Sequence, residues 1–409
     1  MSRAIQITLG IVSSIGGFFD MGEIVTMAVV GARFGYGHIW VVALGTVGII
    51  LYAEMSARIA VMSRRPVFDV VRERLGAKVA FVNLVASVLI NIVTLVAEVA
   101  GIALAFQLLT SLSYFLWVPL ALGVLFFILW KVKFERMERT VGIIGLSMVV
   151  LAVAVWRLHP DWGQILGGVI NPDIPASETL AGYWYYAVAI FGAALTPYEV
   201  FFYSSSAVEE RWGKKDLLTN KVTAYVGWLF GGALAASLVC LAALVFKPAG
   251  IQVENLSTVA LAPAASLGSI GLALFLVGLF ASTIGAALEV TLANGYALAQ
   301  FFGWTWGKRL APAKAARFHL VLMVSLVIAA LVVWSSLDPV KVTELAVVLA
   351  AFAIPLTYFP VLLVANDRQY MKEFTNGRAL NTVAIIYLLI TAAVSFVVLP
   401  LMIWTRMGS

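Results

Sequence analysis

Apolar runs long enough to cross a bilayer follow one another along almost the whole chain, and that recurrence leaves little choice of fold. A stretch of about 20 apolar residues spans the hydrocarbon core as a helix. Within lipid only helices and closed barrels satisfy their own backbones. Eleven spans are expected, at about 5–34, 38–62, 78–109, 114–132, 139–157, 181–208, 221–246, 266–303, 318–336, 343–365 and 380–404. Of the 409 residues, 62% are hydrophobic and 12% charged, far from a soluble average. Residues 1–409 therefore read as one all-α polytopic transmembrane domain. The first run is too long for a signal peptide, and no small-residue cleavage site follows it. The one cysteine, Cys240, leaves no disulfide framework or thiolate metal site. No nucleophile–base pair or phosphate-binding loop is present, so neither an enzyme nor a bound cofactor is expected.

The net charge of +6 is topological and does not point to nucleic acid. Every second connection is basic: Arg64, Arg65, Arg72, Arg74 and Lys78; Lys131, Lys133, Arg136 and Arg139; Arg211, Lys214, Lys215 and Lys221; Lys308, Arg309, Lys314 and Arg317; Arg368, Lys372 and Arg378. The 158–180 connection has Asp161, Asp173 and Glu178 and no lysine or arginine. The positive-inside rule then puts the N-terminus in the cytoplasm and, after an odd number of spans, the C-terminus outside. The expected setting is a bacterial inner membrane, in contact with lipid, as a monomer.

Several acids lie in mid-span, where burial is expensive and usually functional. Asp20 and Glu23 stand in "GFFDMGEI", Glu98 in "TLVAEVAG", Glu199 in "ALTPYEVFF" and Glu289 in "GAALEVTLANG". Glu54 is followed four residues on by Arg58, a spacing that predicts an intrahelical ion pair. Glu98 has a bland alternative as the cap of a buried hydroxyl network, and Glu289 as a hydrogen-bonding node with Thr291 and Asn294. Asp20, Glu23 and Glu199 differ because each sits beside a helix breaker, Gly22 or Pro197. Irregular backbone at membrane depth is tolerated where it lines a cavity. Breaks in spans 1 and 6 are five spans apart, as expected if spans 1–5 and 6–10 are inverted repeats, and matched breaks mark a transporter's binding site. Unwound segments are expected near 19–23 and 195–199, facing each other.

At these residues the chain resembles the NRAMP family of proton-coupled divalent-metal transporters. The resemblance also runs through "VVGARFGYGHIW", "EMSARIAV", "AEVAGIALAFQLL", "HPDWG", "FASTIGAAL" and, most specifically, "PVLLVANDRQYMKEFTNGRALN". It implies a LeuT-type inverted-repeat fold plus an eleventh span, with helices 1 and 6 interrupted. The site departs from the family pattern. Asp-Pro-Gly-Asn becomes Asp20-Met21-Gly22-Glu23, and Met-Pro-His becomes Thr196-Pro197-Tyr198 with Glu199 following. A second family histidine becomes Tyr203, a helix-3 Asp becomes Leu95 while Glu98 remains, and a helix-10 Gln aligns with Val347.

The substitutions change the expected chemistry. The family's soft thioether is replaced by Thr196, and a neutral amide by Glu23. The metal ligands expected are Asp20, Glu23, Thr196, Glu199 and the freed carbonyls of Phe19 and Leu195, an all-oxygen set suited to Mg²⁺, Ca²⁺ or Mn²⁺. NRAMP-related magnesium transporters also lack the methionine. Several carboxylates around one ion would hold a proton when it leaves, since burial and like charge both disfavour the ionised form. Glu98, Glu289, Tyr198 and Tyr203 form the expected proton route or secondary shell. Uncoupled transport driven by membrane potential is the opposite expectation. Two other cargoes stay open. One is Mn²⁺/Fe²⁺ by proton symport. The other is an organic cation, an amino acid or polyamine, caged by Tyr185, Tyr186, Tyr198, Phe201, Phe202 and Tyr203.

Overall fold

The computed structural model describes residues 19–335 and 338–408, the side chain of Glu135 excepted. The helices are α1 (Met21–Phe34), α2 (Ile39–Ser63), α3 (Val67–Leu75), α4 (Ala77–Thr110), α5 (Val118–Lys131), α6 (Phe134–Gly145), α7 (Val150–Arg157), α8 (Trp162–Ile170) and α9 (Leu180–Ala194). They continue with α10 (Pro197–Glu209), α11 (Leu217–Val222), α12 (Trp228–Ala249), α13 (Leu256–Phe302), α14 (Ala316–Trp334), α15 (Pro339–Ala365), α16 (Arg368–Met371) and α17 (Arg378–Trp404). Among the described residues, ten helical stretches are long and apolar enough to cross a membrane, and they match the second to eleventh expected spans one for one. Of the first span, residues 5–18 lie outside the described residues.

The packing repeats itself when spans 1–5 are exchanged for spans 6–10. The first span lies on the seventh (α1 on α12), and the sixth on the second (α10 on α2). The third lies on the tenth (α4 on α15), and the eighth on the fifth (α13 on α6 and α7). The third and eighth, α4 and α13, pack against each other. That is the contact pattern of two halves related by an inverted repeat. Small residues make the approaches close, as helix association in lipid requires. A Cβ on Gly31 of α1 would overlap the carbonyl of Val239 on α12.

Burial separates centre from rim. The apolar window of 180–209 is 94% buried inside the protein, that of α17 only 22%. The sixth span is thus enclosed by helices, while α17 turns Leu389, Phe396, Ile403 and Trp404 outward. Three features depart from the sequence reading. α3 is a short helix inside a connection, seated by Val67, Phe68, Val70 and Val71. α8 is a second, within 158–180, started by Asp161 capping Gly163 and Gln164. α13 begins ten residues before the expected 266, because Asn255 caps Thr258, and it kinks at Gly268, where φ is 61°. The Glu54–Arg58 pair forms at 3.0 Å, and Arg58 also donates to Phe374 O and Asn376 Oδ1, tying α2 to the segment before α17.

Candidate functional site

The interruption of the sixth span follows from proline chemistry. Pro197 has no N–H to give a preceding turn and disfavours helical backbone in the residue before it. Thr196 is accordingly extended (φ −71°, ψ 133°), Leu195 is irregular (φ −122°, ψ 50°), and Pro197 opens α10 at its first position. The last carbonyls of α9 are left without a following turn. The break is narrower than expected: Pro197, Tyr198 and Glu199 are already helical.

In the first span the described backbone is irregular before Gly22, not at it. Asp20 is extended (φ −82°, ψ −179°) and caps α1, while Met21, Gly22 and Glu23 are its first helical residues. Gly22 serves a different end from the one expected. A Cβ there would sit 3.0 Å from Asp20 Oδ1 and 2.8 Å from Val347 Cγ1, so its absence lets the Asp20 carboxylate fold back and α15 approach. Val347 therefore does reach the break, as an apolar wall.

Helices α1 and α10 share a pattern at their starts that the sequence reading missed. Each begins with a capping residue followed three positions later by glutamate: Asp20-Met21-Gly22-Glu23 and Thr196-Pro197-Tyr198-Glu199. This is the spacing of a capping box, with the acid in the first turn, where the helix dipole favours it. Only half of the box forms in α1. Asp20 Oδ1 accepts Glu23 N–H at 2.9 Å, but Glu23 sends neither oxygen back. In α10 Thr196 makes no capping bond.

Asp20 is the centre of the cluster. Its Oδ2 accepts the Tyr198 hydroxyl at 3.1 Å, joining the starts of α1 and α10. It interacts electrostatically with Glu23, Glu98, Glu199 and Glu289. These electrostatic neighbours come from spans 1, 3, 6 and 8. Among the described residues, however, no group of three or more His, Cys, Asp or Glu is spaced to hold a metal ion together. Glu23 is wholly buried with both carboxyl oxygens unpartnered. Glu98 Oε1 accepts Met21 N–H at 3.0 Å, so it caps a backbone end and not a hydroxyl network, and its Oε2 is unpartnered. Glu199 Oε2 accepts Trp228 Nε1–H at 3.3 Å, from α12.

The remaining candidates are spread out. Glu289 lines a cleft with Met137, Glu138, Val141, Gly285 and Leu288. It is not in the nearby polar seam, where Asn91 bonds Asn294 at 3.0 Å and Thr291 bonds Ala287 O. Tyr203 turns to Asn220 Oδ1 at 3.0 Å and packs edge-on against Trp228. The six aromatics do not form one cage. Tyr186 takes Arg33, Phe201 meets Phe68, Phe202 meets Phe134, and Tyr198 serves Asp20. Trp228 was missed because a lone tryptophan in an apolar run gives no sign of the acid it will meet.

The comparisons with known proteins agree with this architecture. The family model described as natural resistance-associated macrophage protein-like (Nramp) matches residues 10–400. A divalent metal cation transporter, MntH, of Deinococcus radiodurans is 26% identical, covering 96% of this chain and 88% of the relative. One from Chromohalobacter salexigens is 25% identical, covering 93% and 88%. Among solved structures, a manganese transporter of Eremococcus coleocola superposes with a TM-score of 0.75 at 18% identity, covering 98% of this chain and 94% of that one. Mhp1, a nucleobase-cation-symport-1 family transporter, superposes at 0.59 with 15% identity, covering 98% and 92%, which places the fold in the LeuT-type class. These relatives are transporters, not enzymes. With the family match spanning nearly the whole of it, the chain belongs to the Nramp family.

Proposed function

We propose that the chain carries divalent metal cations across the membrane by alternating access, binding them where α1 and α10 begin. Glu23 supports this most directly: it is wholly buried, and both its oxygens lack a partner. A buried unpaired carboxylate costs several kcal/mol, and a cation offsets that cost. Asp20 lies three residues away. Thr196 and the carbonyls of Phe19 and Leu195 supply neutral oxygens. With no sulfur donor the set suits Mg²⁺, Ca²⁺ and Mn²⁺, and the divalent-metal names of the relatives favour the cation class.

Asp20 and Glu23, which meet the ion, are the carboxylates to exchange it for a proton, with Glu98 and Glu289, in the field of Asp20, as a secondary route. The basic connections put the N-terminus in the cytoplasm. A monomer in a bacterial inner membrane is the setting. A second reading, Mn²⁺/Fe²⁺ symport with protons, is favoured by the manganese transporter that shares the fold.

Uptake of Mn²⁺ into proteoliposomes, with Ca²⁺, Mg²⁺ and Fe²⁺ as competitors, tests both. The first reading expects Ca²⁺ or Mg²⁺ to compete, and Asp20→Ala to abolish uptake. Competition by Fe²⁺ alone selects the second. No metal uptake by the parent overturns both.

A further inference from the structure

The two glutamates that open α1 and α10 occupy equivalent positions, the third helical residue after the cap. Their surroundings are not equivalent. Glu23 has two unpartnered oxygens, whereas Glu199 Oε2 is held by the indole N–H of Trp228. Trp228 is itself buried, its ring set edge-on against Tyr203 at 5.1 Å between centroids. It is the first residue of α12 after a π-helical turn, Thr223–Gly227. One extra residue in such a turn rotates the following face of the helix, and these turns recur at functional sites. Before the turn Asn220 faces Tyr203 and the Glu54 carbonyl; after it Trp228 faces Glu199.

We propose that Trp228 is a specificity-determining residue that withholds Glu199 from the ion, leaving two carboxylates, Asp20 and Glu23, to match one divalent charge. The inference rests on the metal reading above and goes beyond it in assigning the count of charged ligands. It accounts for three acids in the break without three acids at ligand spacing. An indole N–H can donate but not accept, so it gives nothing to a cation. Donating from α12, it draws Glu199 toward that helix, whereas the two donors to Asp20, Glu23 N–H and the Tyr198 hydroxyl, belong to the starts of α1 and α10 themselves. Loss of the N–H frees a third carboxylate, and ligand charge tunes affinity for hard cations. A trivalent ion gains most from that change.

The test is calorimetric titration of the full chain in detergent with Mn²⁺ and, separately, La³⁺. Trp228→Phe keeps the ring and removes the donor. The expected result is a rise of about tenfold in the La³⁺-to-Mn²⁺ affinity ratio, as one anionic ligand is added. Glu199→Gln alone should weaken Mn²⁺ binding far less than Glu23→Gln does, and adding it to Trp228→Phe should return the ratio to the parental value. A packing role for Trp228 would not give that reversal. An unchanged ratio in Trp228→Phe overturns the proposal. So does a Glu199→Gln variant that loses Mn²⁺ as fully as Glu23→Gln, and this arm decides alone should the tryptophan variant not fold. A parent that binds neither ion overturns the metal reading itself, and this proposal with it.

Discussion

The Tyr198 hydroxyl donates to Asp20 Oδ2 at 3.1 Å, and this one bond joins the start of α1 in the first span to the start of α10 in the sixth. Asp20 gives its other oxygen to Glu23 N–H, so both oxygens of the carboxylate are engaged by the protein. Tyr198→Phe keeps the ring and leaves Oδ2 without its donor, a loss worth about 1–3 kcal/mol at a buried group. Thermal melts should show a lower midpoint without metal and a larger rise on adding saturating Mn²⁺ than the parent gives. An equal rise in both proteins would mean that the ion does not use Asp20.

Gly22 is held to glycine by space. A Cβ would press on Val347 Cγ1 and Asp20 Oδ1 together. Gly22→Ala should destabilise by about 1–3 kcal/mol, as overpacking does, and should weaken Mn²⁺ binding because the carboxylate is displaced. Val347→Ala added to it should recover stability more than binding. Denaturation and titration of the double variant separate the two effects.

Glu98 supports the break through one oxygen. Its Oε1 accepts Met21 N–H, the first amide of α1. Glu98→Gln retains an acceptor there, and Mn²⁺ affinity should stay near the parental value. Glu98→Leu orphans the amide at a cost of about 1–3 kcal/mol, and affinity should fall. In vesicles carrying a pH dye, Glu98→Gln should alter metal-linked proton movement less than Glu23→Gln.

Much of this arrangement was legible in the sequence. Pro197 marked the second break to within two residues, and the acids beside breakers pointed to the two helix starts that the Asp20–Tyr198 bond joins. The i,i+4 spacing of Glu54 and Arg58 marked their pair, because local geometry fixes it. Where the first break falls was less legible. Gly22 looks like a breaker, yet the carboxylate of Asp20 caps the chain two residues earlier, and a cap decides where a helix starts. The roles of Trp228 and Val347 depend on contacts across spans, which no local pattern encodes. Glu199, expected as a metal ligand, accepts the indole N–H of Trp228, 29 residues further along the chain.

By the family resemblance, Thr196 takes the place of a soft thioether. Thr196→Met restores sulfur beside the break and should shift preference toward Cd²⁺ over Ca²⁺ or Mg²⁺, by about tenfold in competition for uptake. The same order of competitors in variant and parent would show that residue 196 does not touch the ion.

The central claim is that an ion sits between Asp20 and Glu23. Crystals of the parent soaked in Mn²⁺ and measured at the manganese absorption edge locate the ion directly. The account predicts an anomalous peak within coordination distance of both carboxylates, lost in Asp20→Ala. A peak at another site, with none at the start of α1, would contradict it.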